Sequence, residues 1–73
     1  MTTNPFEEQI EGSHYKHMTI QPIEFCQKNE LNFCESNVIK YLVRHRLKGG
    51  KKDLDKAIHN IQLLIAMEYP HDL

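Results

Sequence analysis

Asn37, Lys40, Tyr41, Arg44 and Lys48 stand at offsets of 0, 3, 4, 7 and 11 residues, so on an α-helix they share one face. Lysine and arginine supply charge and, in arginine, a forked set of donors that fits phosphate oxygens. An asparagine beside them can bond a base edge or a sugar, and a tyrosine can stack or donate its hydroxyl. The stripe runs into the turn Leu47-Lys48-Gly49-Gly50-Lys51-Lys52, whose two glycines permit close backbone approach to an anion with a helix N-terminus just beyond. Seven of the chain's nine lysine and arginine residues lie between Lys40 and Lys56, opposed there only by Asp53 and Asp55. Both flanking segments are acidic, which brings the whole chain to a formal net charge of −1. Such a concentrated patch is the footprint of an anion site, most often for phosphate, and composition alone equally admits an ordinary solvated helix face.

Several other chemistries lack their residues. The turn is not a P-loop: its first glycine is too close, and no Ser or Thr follows the lysine to hold Mg²⁺. No dinucleotide fingerprint is present. His14 and His17 form the one close histidine pair, Cys26 and Cys34 lie eight apart, and no zinc template matches. Asp53 or Asp55 could touch a Mg²⁺ ion brought in by a nucleotide, while helix capping and pairing with Lys52 or Lys56 is the plainer role. Cys34 near a helix start could be activated, but the type is more often a buried structural residue. His45 reads as a residue at the border between the two faces of the second helix and His59 as one on the outer side of the third, and no Ser/His/Asp set can be assembled. The net negative charge argues against general coating of DNA.

The elements that must position the stripe are helical. Seventy-three residues make one small domain, which needs regular helix packing or association to gain stability. Residues 1–13 read as a flexible tail and residues 14–73 as a single helical domain. Pro22 opens a first helix running to about Asn29. Asn32 and Glu35 form a capping-box pattern for a second, from Phe33 to about Leu47, with Gly49–Gly50 as its stop. A third begins at Lys52 or Asp53 and runs to Glu68, where Pro70 halts it. The spacing places Val38, Ile39, Leu42, Val43 and Leu47 on an inward half of the second helix, with Arg46 among them. It places Leu54, Ala57, Ile58, Ile61, Leu64 and Ile65 on a buried face of the third, and Ile23, Cys26 and Phe25 on that of the first. Leu63 and Met67 fall outside this face and predict self-association. The expected architecture is all-α: three short helices with a C-terminal helical hairpin, assembled as a homo-oligomer. No apolar run is long enough to span a bilayer, and no secretory signal is seen, so a cytosolic protein with reduced thiols is expected.

His14-Tyr15, Pro22, Asn37, Ile39-Lys40-Tyr41, Arg44, Lys48-Gly49, Asp53-Leu54 and Lys56-Ala57 together resemble a family of small phage-encoded helical proteins of unknown function. The resemblance covers roughly residues 14–65. Members are often labelled nucleotide kinase-like, because the domain occurs in a T7-type phage nucleotide kinase that lacks a P-loop. The resemblance implies a phage protein acting in the cytoplasm of an infected bacterial host, in nucleotide metabolism or nucleotide binding. It selects Asn37, Lys40, Tyr41 and Arg44 out of the wider patch and adds His14 and Tyr15; with Lys48, Lys51 and Lys56 of the basic window these are the ligand-binding candidates, and no metal ligands are assigned. The expectation is a nucleotide-binding protein that holds phosphates in pockets of a homo-oligomer. The alternatives are a nucleoside monophosphate kinase without a P-loop, using Mg²⁺; a non-enzymatic trap for a host nucleotide or cyclic-nucleotide immune signal; and a DNA- or host-protein-binding module.

Overall fold

A computed structural model describes Tyr15 and residues 17–73; the expected tail and His14 lie outside the described residues. The fold is all-α. Three helices, α1 (Pro22–Lys28), α2 (Phe33–Arg44) and α3 (Lys51–Glu68), precede a single 3₁₀ turn at Pro70–Asp72. No strand occurs among the described residues. The helices α2 and α3 form the expected hairpin, and α1 packs on α2.

Local signals set most of the boundaries. Pro22 occupies the first turn of α1, where its missing N–H removes no helical bond. The end of α1 is a Schellman turn: Leu31 N–H reaches Cys26 O at 3.0 Å and Glu30 N–H reaches Gln27 O at 3.2 Å. This places Glu30 in the left-handed region at φ 54°. The capping box at α2 is complete, with Glu35 N–H donating to Asn32 Oδ1 and Asn32 N–H donating to Glu35 Oε1, both at 2.9 Å. Such a cap stabilises a helix start by about 1 kcal/mol.

The hairpin turn differs from expectation. α2 ends at Arg44 rather than near Leu47, and α3 begins at Lys51 rather than Lys52 or Asp53. The cause lies in Asp53. Its Oδ2 accepts the Gly49 N–H at 3.0 Å and the Arg44 Nε–H at 3.0 Å, while Oδ1 accepts from the Arg44 terminal nitrogen at 3.0 Å. The chain between the helices must curl around that carboxylate. Leu47 and Lys48 N–H groups both bond back to Arg44 O, and Gly50 N–H bonds to His45 O. Gly50 adopts φ 58°, ψ −138°, a conformation that side chains disfavour. A Cβ at Gly49 would collide with the Asp53 carboxylate.

The seam between α2 and α3 is polar, which overturns the expected division of faces. Arg44 meets Asp53, Asn37 Nδ2 meets Asn60 Oδ1 at 3.3 Å, and Asn32 Nδ2 meets Glu68 Oε1 at 3.2 Å, as successive rungs of an antiparallel pair. Asn60 also donates to Lys56 O at 2.8 Å. The buried residues of α3 are Asp53, Ala57 and Asn60. Ile58, Ile61 and Ile65, expected in the core, are 54, 44 and 40 % exposed. On α1, Pro22 and Cys26 are buried, whereas Ile23 and Phe25 are exposed. Ile39 and Val43 face an apolar groove with Met18, Ile20, Pro22 and Phe25, and Arg46 is exposed beyond the end of α2. The physical reason is pairing. Polar groups that find fixed partners across an interface can be buried, and the Asn37, Tyr41 and Arg44 face has Asp53 and Asn60 opposite. Cys26 and Cys34 are buried free thiols.

Two predictions follow from the turn. Gly49→Ala pushes Asp53 away from Arg44 and should lower stability by about 2 kcal/mol, the usual scale for overpacking, read from urea midpoints. The Asp53 carboxyl is held below its ordinary value, chiefly by the Arg44 hydrogen bonds, against an opposing effect of burial. Because its folded value is the lower one, its stabilisation is present above the unfolded carboxyl value, near pH 4, and is lost as pH falls through the folded value. Urea midpoints of the native chain should therefore drop steeply on acidification below about pH 5, and Asp53→Asn should flatten that limb.

Candidate anion-binding site

The local fold gathers part of the basic stripe around one ring. Lys40 Nζ lies 4.7 Å from the Tyr41 ring centroid, the Arg44 guanidinium carbon also 4.7 Å, and Lys56 Nζ of α3 5.4 Å. Lys40 and Arg44 flank Tyr41 along α2, and Lys56 comes across the hairpin because the Arg44–Asp53 and Asn37–Asn60 rungs fix the register. Cations at these distances are attracted by the ring quadrupole. That attraction is what allows three like charges to share so small a volume.

Among the described residues, only one of the three has a carboxylate partner. Arg44 is held above its ordinary range first by its hydrogen bonds to Asp53, against burial, with further support from the charge of Asp53 and from Tyr15 and Tyr41. Lys40 and Lys56 make no ion pair among the described residues. The charge of Lys56 does help to hold the Asp53 carboxyl low. Among the described residues, three cations stand against one buried carboxylate at this edge of the hairpin. This arrangement can accept an anion without breaking any contact of the fold.

The other candidate residues divide by what they already touch. Asn37 is tied to Asn60 in the seam. Tyr15 lies near enough to Arg44 to influence its charge, so the segment preceding α1 does approach the stripe. His14 is outside the described residues. Lys48 is exposed in the turn, with its N–H on Arg44 O. Lys51 pairs with Asp55 at 2.9 Å on the surface. The glycine turn, expected to let the backbone approach a bound anion, is filled by the chain's own Asp53 carboxylate. Sequence reasoning gave Asp53 a capping or metal role and did not single out Asn60. The signal was available: Asp53 and Asn60 sit seven apart, as do Arg44 and Asn37, and the antiparallel hairpin sets the two pairs opposite each other.

Both oxygens of Asp53 are engaged, and Asp55 is paired with Lys51. No group of three His, Cys, Asp or Glu side chains converges among the described residues. No described helix is long and apolar enough to cross a membrane.

No curated protein and no solved structure matches the chain. Residues 4–62 match a family described as proteins of unknown function, DUF3310. That match spans most of the 73 residues, and the chain belongs to the DUF3310 family.

Proposed function

We propose that the protein binds a nucleoside phosphate at the basic edge of its hairpin, with Lys40 and Lys56 as the principal phosphate ligands. The observation that supports this most is the cluster of three cations within 4.7 to 5.4 Å of the Tyr41 ring, of which only Arg44 has a carboxylate partner among the described residues. A phosphate there relieves the repulsion between Lys40 and Lys56 and gains charge-assisted hydrogen bonds from both. Arg44 acts as a positioning residue, since Asp53 already occupies the prongs of its guanidinium. Tyr41 holds the cations in place, so its ring is not a free stacking surface for a base. Tyr15 and His14, from the segment before α1, are the residues we assign to the base or sugar. Lys48 and Lys51 at the turn add long-range attraction.

The reading extends to biology through the resemblance to phage proteins labelled nucleotide kinase-like: a phage protein at work in the host cytoplasm on host nucleotides. Between conversion and capture of the ligand, capture fits the site better. Phosphoryl transfer requires a group to position the nucleophile and usually a metal held by carboxylates. Asp53 is locked to Arg44 and Gly49, and Asp55 is paired with Lys51. The proposed role is thus binding of an intact nucleotide or cyclic nucleotide, including its sequestration as a signal.

Isothermal titration with nucleoside mono- and triphosphates and cyclic dinucleotides tests the site. Lys40→Ala and Lys56→Ala should each weaken binding about tenfold or more, equivalent to roughly 1.4 kcal/mol, with unchanged helical circular dichroism. Lys51→Ala should have a smaller effect. Retained affinity in both Lys40→Ala and Lys56→Ala would refute the assignment. Chromatography of the recovered ligand separates capture from conversion, and a converted nucleotide in the presence of ATP and Mg²⁺ would establish the kinase alternative.

A further inference from the structure

The α2–α3 seam uses one face of α3 and leaves a second heptad open. Lys51, Leu54, Ile58, Ile61, Ile65 and Glu68 follow one another at spacings of 3, 4, 3, 4 and 3, the a/d repeat of a coiled-coil seam. The hairpin does not cover it: Ile58, Ile61 and Ile65 are 54, 44 and 40 % exposed, and Leu54 is half-buried. Helical geometry brings Leu42 of α2, 49 % exposed, to the same edge.

We infer that a second copy of the chain covers this seam, α3 packing on α3 antiparallel about a two-fold axis near Ile58 and Ile61. Two observations select that occupant. The first is the core of the single chain. Among the described residues the buried apolar side chains are small: Cys26, Cys34, Ala57 and Pro22. A domain of this size needs more apolar burial than that. The surface that supplies it must be present whenever the chain is folded, and a second copy is supplied together with the chain itself. The second observation is self-complementarity. In an antiparallel pair the a positions meet d positions of the partner, so Ile58 falls opposite Ile61, Leu54 opposite Ile65, and Lys51 opposite Glu68. The heptad is apolar at its centre and oppositely charged at its two ends. A parallel pair would oppose lysine to lysine at one end and glutamate to glutamate at the other. Lys51 now bonds Asp55, and Glu68 uses one oxygen for Asn32, leaving its other oxygen for the partner lysine.

The opposite edge of the hairpin also exposes apolar residues: Phe33 at 80 %, Leu63 at 39 % and Met67 at 63 %. It carries Lys40 and Lys56 as well, so a symmetric pair through that edge would press two basic clusters together. Dimerisation through the Ile58–Ile61 seam leaves the Tyr41 cluster of each protomer facing away from the two-fold axis. The pair then presents two separate, equivalent basic edges.

Sedimentation velocity and a cysteine pairing experiment on the full chain test this. The wild type should sediment at twice the chain mass or a multiple of it. Lys51→Cys and Glu68→Cys are changes at exposed positions that leave the buried Arg44–Asp53 and Asn37–Asn60 rungs in place, giving up the surface contacts to Asp55 and Asn32. Mixed and mildly oxidised, the two variants should form the 51–68 heterodisulfide in large excess over either homodisulfide. In the antiparallel pair, like positions at the ends lie about 25 Å apart at 1.5 Å per residue. Leu63→Cys, on the other edge, should remain unlinked, as should the wild type with its buried thiols. A monomeric wild type, or homodisulfides of either variant in excess, or preferential linking through Leu63→Cys would overturn the inference.

Discussion

The bidentate contact of Arg44 with Asp53 is the constraint on which the rest of this small fold depends. Asp53 is 1 % exposed, and few other side chains among the described residues are buried. A buried carboxylate needs its hydrogen bonds filled, and it fills them with the guanidinium of α2 and the amide of Gly49. That choice ends α2, shapes the turn, starts α3 and sets the register of the hairpin. It also draws the Arg44 guanidinium over the Tyr41 ring. The same register brings Lys56 across from α3 to the ring that Lys40 already borders. The basic edge around Tyr41 is thus a by-product of the lock that closes the turn.

A seam of Arg–Asp and Asn–Asn rungs contributes specificity more than stability. Buried ion pairs lose in desolvation much of what they gain in attraction, but a single partner removed leaves an uncompensated charge. Slipping α2 against α3 by one turn would leave Arg44, Asp53, Asn37 and Asn60 all unpaired. The register is therefore narrowly fixed although the apolar core is slight. The isoleucines that would stabilise an ordinary helical hairpin lie instead along its edge, where Ile58, Ile61 and Ile65 are 54, 44 and 40 % exposed.

Much of the fold was legible in the sequence because its signals are local. Pro22, the Asn32–Glu35 capping box and the glycine pair located three helices to within a few residues. The orientation of those helices was not legible in the same way. Helical spacing identifies which residues share a face, and it does not say which face points inward. The rule that apolar faces are buried failed here because the Asn37, Tyr41 and Arg44 face has matched polar partners on α3. Asn37, Lys40, Tyr41 and Arg44 lie on α2 as expected, whereas Lys48 falls in the turn beyond its end, and Asn37 and Arg44 are committed to Asn60 and Asp53 rather than held free. What separates Lys40 and Lys56 from Arg44 is the presence of a carboxylate across the hairpin, a tertiary fact that no spacing along one helix contains.

The central claim is that a phosphate anion is held by Lys40 and Lys56 beside Tyr41, on a scaffold fixed by Arg44 and Asp53. Lysine side-chain NMR reports it directly, by following the Cε–Hε signals of a selectively labelled chain as a nucleoside triphosphate is added. The account predicts that the Lys40 and Lys56 signals shift together and saturate at one equivalent per chain, while Lys28, far from the patch in sequence, stays fixed. Shifts confined to Lys48, Lys51 and Lys52, or uniform unsaturated drift of all lysines, would contradict it.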